Sequence, residues 1–126
     1  MSESITIAID IPPRSLSANG RTHWAVKSGD KIAAKQTAFV LARREMLNKN
    51  IVAKWDRFTL SVMWYAARKN WVPDCDNIFS SLKATIDGVG QAGLFVNDKA
   101  MEIGRVIRSV DADSPHVVLH FERIDE

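Results

Sequence analysis

A chain of 126 residues, 46% hydrophobic and 25% charged, has the size to fold as one domain that buries about two-thirds of its unfolded surface. A net charge of +2 is too small to name a nucleic acid, a membrane or an acidic partner by itself, and a single cysteine excludes an internal disulfide. No apolar run approaches the ~20 residues of a membrane span, and the opening MSESITIAID lacks the basic start and apolar run of a secretory signal, so no membrane partner and a cytoplasmic location are expected.

Residues 4 to 11, SITIAIDI, place Ile5, Ile7, Ile9 and Ile11 on one side of an alternating pattern and predict a strand with one buried face. Pro12 and Pro13 end it, and RSLSANGRTHWAVKSG reads as a loop. From about Asp30 to Asn48, Ile32, Phe39, Val40, Met46 and Leu47 recur at helical spacing and predict a first helix with an apolar face. RFTLSVMWYAA, 57 to 67, alternates again, with Phe58, Leu60, Val62 and Trp64 together. After the polar loop RKNWVP a second helix is expected from about Cys75 to Gln91, losing regularity at Gly88 and Gly90. MEIGRVIRSV and PHVVLHFERI, separated by DADS, read as a closing hairpin. The order β-α-β-α-β-β predicts an α+β single domain with a mixed sheet covered by two helices.

The stretch PDCDNIFSSLKATIDGVGQAGLFVNDK, 73 to 99, carries the chemistry. Asp74 and Asp76 are like charges one residue apart, an arrangement that repels unless a cation or a helix N-terminus uses it. Seven residues fall ~20° short of two helical turns and eleven fall ~20° beyond three, so Asp76, Lys83 and Asp87 share a face. Ser80 lies near the same line, opposite the apolar stripe Ile78, Leu82, Ile86 and Val89. Asp76 and Lys83 are ~10 Å apart along the axis, and a lysine leaning back leaves a gap of phosphate size. Mg²⁺ takes one or two carboxylates plus phosphate oxygens, and a lysine can meet the charge that develops in phosphodiester cleavage. Asp98 precedes a strand whose return would offer a third ligand. An EF-hand is excluded, because loop positions six and twelve counted from Asp74 hold Phe79 and Thr85 instead of Gly and Glu.

With these residues assembled, the chain resembles the RusA family of Holliday-junction resolvases, small endonucleases common in phages and prophages. The resemblance spans nearly the whole chain and is most specific in DCDN…LK…DG…AGLFVND, with IPP…ANGRTHW as a second, N-terminal match. It implies a homodimer that resolves four-way DNA junctions by paired nicks in opposed strands, with Mg²⁺ as cofactor, Mn²⁺ as a substitute, and a phage or prophage origin. It also implies that Asp74, Asp76 and Asp98 bind the metal and that these three act with Lys83 in catalysis. The segment between Asp76 and Asp98 is longer than in the family, so Lys83 takes the lysine position if the insertion lies in IFS, and Ser80 takes it otherwise. Asn97 stands where the family often has an acid.

Arg14, Arg21 and Lys27, with His23, populate the first loop, and Arg68, Lys69 and Trp71 precede the acidic pair; two cations and an aromatic suit phosphates and an opened base. Four tryptophans and five phenylalanines exceed what two short helices cover, a modest hint of a dimer. Beside these stand plainer readings: Asp76 as an N-cap, Asp74 as a turn residue, Asp87 as an i,i+4 partner of Lys83, and Trp24, Trp55 and Trp64 as core or interface residues. His116 and His120 share one strand face and read as exposed more readily than as metal ligands. The functional alternative is a branched-DNA binder that keeps the fold and has no catalysis.

Overall fold

The two proline-flanked loops of the sequence end up side by side because of how the strands are ordered. A computed structural model describes residues 3–17, 24–52 and 54–125. Its elements are β1 (Ser4–Ile9), α1 (Trp24–Asn48), β2 (Phe58–Ala66), α2 (Cys75–Gln91), β3 (Met101–Val110) and β4 (His116–Arg123), with single 3₁₀ turns at Arg14–Leu16, Lys69–Trp71 and Asp98–Ala100. The sheet is mixed, in the order β1-β4-β2-β3. β4 runs antiparallel to both β1 and β2, whereas β2 and β3 are parallel. β1, β2 and β3 therefore point the same way, and the chain segments leaving β1 and β2 emerge at one end of the sheet.

The alternation read in the sequence is what packs. Phe58, Leu60, Val62, Trp64 and Ala66 of β2, Ile5 and Ile7 of β1, and Val117, Leu119 and Phe121 of β4 form one buried face with Ile78, Leu82, Ile86 and Val89 of α2. Phe58 stacks on Phe95 at 4.3 Å between ring centroids, and Phe121 adjoins both. Trp55 and Trp64 are core residues, and Trp55 Nε1 donates to Glu3. Among the described residues whose side chains are placed, Trp71 and Phe39 are the exposed aromatics, so the aromatic excess is largely covered within one chain.

Four expectations are corrected. The last two strands form no hairpin: the turn after Val110 carries the chain over the end of β2, where Asp111 N donates to Ala66 O, and β4 inserts between β1 and β2. The reason is burial, since β4 is apolar enough to occupy a central position while β3 is mostly exposed at an edge. Helix α1 begins at Trp24 instead of near Asp30, so WAVKSG is its first turns and Lys27 is a helical residue. The inward face of α1 is Ala38, Ala42 and Met46; Ile32, Phe39, Val40 and Leu47 point to solvent. Small residues win there because α1 lies close against α2. A Cβ on Gly88 would sit 2.4 Å from the Lys35 carbonyl oxygen and 3.0 Å from Ala38 Cβ. Helix α2 accordingly runs unbroken through Gly88 and Gly90, whose missing side chains make room for neighbours and do not end the helix.

Candidate nucleic-acid interface and acidic site

Open parallel strands leave their crevice at the carboxyl ends, where successive connections part. That end carries the first loop, after β1, and the loop that enters α2, after β2. The two are joined by Ser17 Oγ, which donates to Asn77 Oδ1 at 3.3 Å. Between them runs a groove of about 430 Å³ lined by Pro12, Pro13, Arg14, Trp64, Trp71 and Asn77, among others. Five of its lining residues carry rings: Pro12, Pro13, Pro73, Trp64 and Trp71. Ser15 also donates to Asp30, tying the Arg14 turn to α1.

The acidic pair lies in the chain between two residues that line the groove, Pro73 and Asn77. Asp74 is the N-cap of α2, its carboxylate accepting from Asn77 N at 3.2 Å, so the capping role weighed for Asp76 belongs to Asp74. Asp76, in the first turn, is exposed and makes no hydrogen bond or ion pair with any described residue. Its charge is favourable beside the helix N-terminus, and its oxygens are open to a ligand. Ser80 and Ser81 both donate to Asn77 O, at 3.1 and 2.7 Å, which keeps the Ser80 hydroxyl occupied with backbone.

Asp98 arrives elsewhere. Because β3 is parallel to β2, its start lies level with the start of β2, whereas the acidic pair follows the end of β2. Asp98 borders the second half of α2, in a shallow depression of about 440 Å³ with Asp87, Gly90, Gln91 and Asn97. Lys83 reaches it: Nζ is 3.9 Å from Asp98 Oδ2, both side chains substantially exposed. Lys83 thus pairs with Asp98 and not with Asp87, its i,i+4 neighbour. Asn97 caps the 3₁₀ turn, accepting from Lys99 N at 2.9 Å. Among the described residues no group of three or more His, Cys, Asp or Glu side chains is gathered for a metal ion. As a donor set, Asp74 and Asp76 fit a hard cation such as Mg²⁺, which commonly takes two protein carboxylates and fills its remaining positions with water and phosphate oxygens.

The basic residues fall in two places. Arg68 sets its guanidinium 4.8 Å from the Trp71 ring centroid, and Trp71 remains 58% exposed, so the ring is held by a cation on one side and presented to solvent on another. Lys69 adjoins Arg108 at the carboxyl end of β3. Arg21 and His23 lie outside the described residues. Lys27 faces a separate cleft of about 240 Å³ between α1 and α2, shared with Lys31, Lys35, Ser80, Lys83 and Asp87. The sequence reading missed Lys31, Lys35 and Arg108. The two lysines were legible as a spacing of four and eight from Lys27 once α1 is known to begin before it; Arg108 left no signal, since only the parallel pairing of β3 brings it to this end. His116 stacks on Tyr65 at 4.8 Å, and His120 Nδ1 is 2.7 Å from Thr6 Oγ1, each engaged with its own neighbour.

Among the described residues no helix is long and apolar enough to cross a membrane. No family model and no curated protein matches the chain.

Proposed function

We propose that this protein is a Mg²⁺-dependent, structure-selective DNA endonuclease that acts as a homodimer on four-way junctions, making paired nicks in opposed strands. The observation that carries the reading is the division of α2 into a buried apolar side and an exposed flank bearing Asp76 and Lys83, next to a ring-lined groove that includes Trp71 and Arg14. The resemblance of DCDN…LK…AGLFVND to the resolvases supports the same chemistry. In this reading Asp74 and Asp76 hold the cation, whose contribution when bound is Lewis acidity toward a phosphate oxygen and an activated water.

The remaining roles belong to side chains of the chain itself. Lys83 offers its ammonium to charge building on the scissile phosphate, and Asp98 holds that ammonium in place between encounters. Their pair is long and exposed, so it is worth no more than about 1 kcal/mol and yields readily to a phosphate. Asp98 enters as a partner of Lys83 first and as a third metal ligand only if the turn at 98–100 moves. Arg68, Lys69 and Arg14 bind backbone phosphates, and Trp71 stacks on an unpaired base at the branch point. The dimer is supported by an uncovered apolar row on α1, comprising Val26, Ile32, Val40 and Leu47, each more than half exposed.

One specific observation favours the alternative, a branched-DNA binder without catalysis: Asn97, in place of an acid, serves as a cap. A labelled synthetic four-way junction separates the two readings. Nicking in Mg²⁺ that is lost in EDTA, and abolished by Asp74→Asn and by Asp76→Asn with binding intact or tighter, is the expected result. Tight binding with no nicking under Mg²⁺ or Mn²⁺ leaves the binder, and full cleavage by either asparagine variant removes the assignment of the acidic pair.

A further inference from the structure

The line of α1 that faces α2 changes character halfway along. Ala38, Ala42 and Met46 are buried on it. Counting back at helical spacing, the same line continues through Lys35, Lys31 and Lys27. A stripe that is core in one half of the helix is lysine in the other, and Gly88, set against Lys35 O and Ala38, marks the changeover. Across the cleft stands Lys83. Lys27, Lys31 and Lys35 have no ion pair or hydrogen bond with any described residue, and Lys27 and Lys35 are partly buried. Like charges four apart on a helix destabilise it. The acids nearby do not offset this: Asp87 lines the cleft without pairing to a lysine, Asp98 is taken by Lys83, and Asp30 is bonded to Ser15.

From this juxtaposition we infer that the cleft between α1 and α2 is a track for the phosphate backbone of one DNA strand, gripped by Lys27, Lys31 and Lys35 and facing Lys83, whose ammonium is kept for the scissile phosphate. The inference rests on the nuclease reading for its choice of polyanion. Its geometry fits: successive lysines rise by about 6 Å per step along the helix, comparable with one nucleotide of extended sugar–phosphate backbone. Lysine is a point charge on a flexible stem, suited to following a backbone without reading sequence. Ser80, which shares the cleft with Lys83, stands in the first half of α2, so the track leads toward the acidic pair at that helix's start. A plain solvated lysine face would share the composition and would make no contribution to DNA affinity beyond that of any other surface lysine.

The test is the salt dependence of junction binding by the full chain, wild type against Lys31→Gln/Lys35→Gln, with Lys54→Gln as an exposed lysine outside the cleft. Each phosphate contact contributes about 0.7–0.9 to the slope of log affinity against log salt, so the double variant should be less steep by about 1.4–1.8. Lys54→Gln should match wild type. The double variant should be as heat-stable as wild type or more so, because repulsion is removed; if it folds poorly, Lys31→Gln alone should show half the change in slope. A double variant with the wild-type slope, or one matched by Lys54→Gln, overturns the track even if the protein nicks junctions. A lysine-dependent slope in a protein that never nicks leaves the track standing and removes the nuclease reading.

Discussion

Replacing one glycine by alanine at two positions of the helical pair isolates the contact that holds the cleft together. Gly29 and Gly88 are both helical, and alanine at either gains about 1 kcal/mol of helix propensity. At Gly29 a Cβ meets nothing within 4 Å, so Gly29→Ala should stabilise by close to that amount. At Gly88 the new methyl would lie 2.4 Å from the Lys35 carbonyl oxygen, an atom fixed in the backbone of α1. No rotamer relieves such an overlap; the helices must separate by a sizeable fraction of an ångström. A gap of ~0.5–1 Å already forfeits a quarter to a half of the dispersion energy of each contact it opens. Overpacking of this kind costs about 1–3 kcal/mol, and a backbone obstacle puts Gly88→Ala near the top of that range. The net expectation is a loss of about 2 kcal/mol for Gly88→Ala beside a gain of about 1 kcal/mol for Gly29→Ala. Urea unfolding of the two variants measures the difference directly, with an unchanged m-value as the check on two-state behaviour. Equal stabilities, or a Gly88→Ala protein more stable than wild type, would refute the close approach of α1 and α2.

Lys83→Ala should lower the rate of junction nicking about 10²-fold with little change in affinity, while Ser80→Ala, whose hydroxyl is spent on Asn77 O, should cleave normally; the reverse pattern in single-turnover kinetics would move the lysine role to Ser80. Trp71→Ala should weaken junction binding by about 10- to 100-fold, the worth of one stacked base, and a fluorescence titration that finds no change excludes the ring from the interface. Sedimentation should give twice the chain's 14.1 kDa, Leu47→Lys should return the monomer mass, and mixed wild-type and Asp76→Asn dimers should nick one strand only; a monomer on saturated junction DNA would remove paired cleavage from the proposal.

The strands were legible because β2 and β4 bury one face, which forces a period of two that no helix shares, and α2 was legible because its acids and its apolar stripe fall on opposite sides. Helix α1 was harder to read. Its inward face is alanine where it touches α2 and lysine where it does not, while its larger apolar residues point outward, so hydrophobicity marks the wrong side. Strand order was hidden for another reason: the turn after β3 looks the same whether the chain pairs with β3 or steps over β2, and only the competition for central positions decides. The acidic pair was visible in DCDN, but the association of Asp98 with Lys83 depends on β3 being parallel to β2, a fact of topology that no local motif encodes.

The insertion of β4 between β1 and β2 also sets a timetable for the nascent chain. Ile5 and its partner Phe121 lie near opposite ends of the described sequence, and among the described residues β1 pairs with no other strand. At synthesis rates of ~5–20 residues per second, the ribosome takes roughly 6–23 s to go from one to the other. Throughout that interval Ile5 and Ile7 have no sheet to join, and β2 lacks the neighbour that covers one of its edges. The βαβ unit of β2, α2 and β3 can assemble first, but the sheet closes only when β4 leaves the exit tunnel and takes both neighbours at once. Of the four described strands, the last one made is therefore the one that closes the sheet, and a ribosome stalled short of Val117 would hold a chain with the β1 and β2 edges that β4 covers still open.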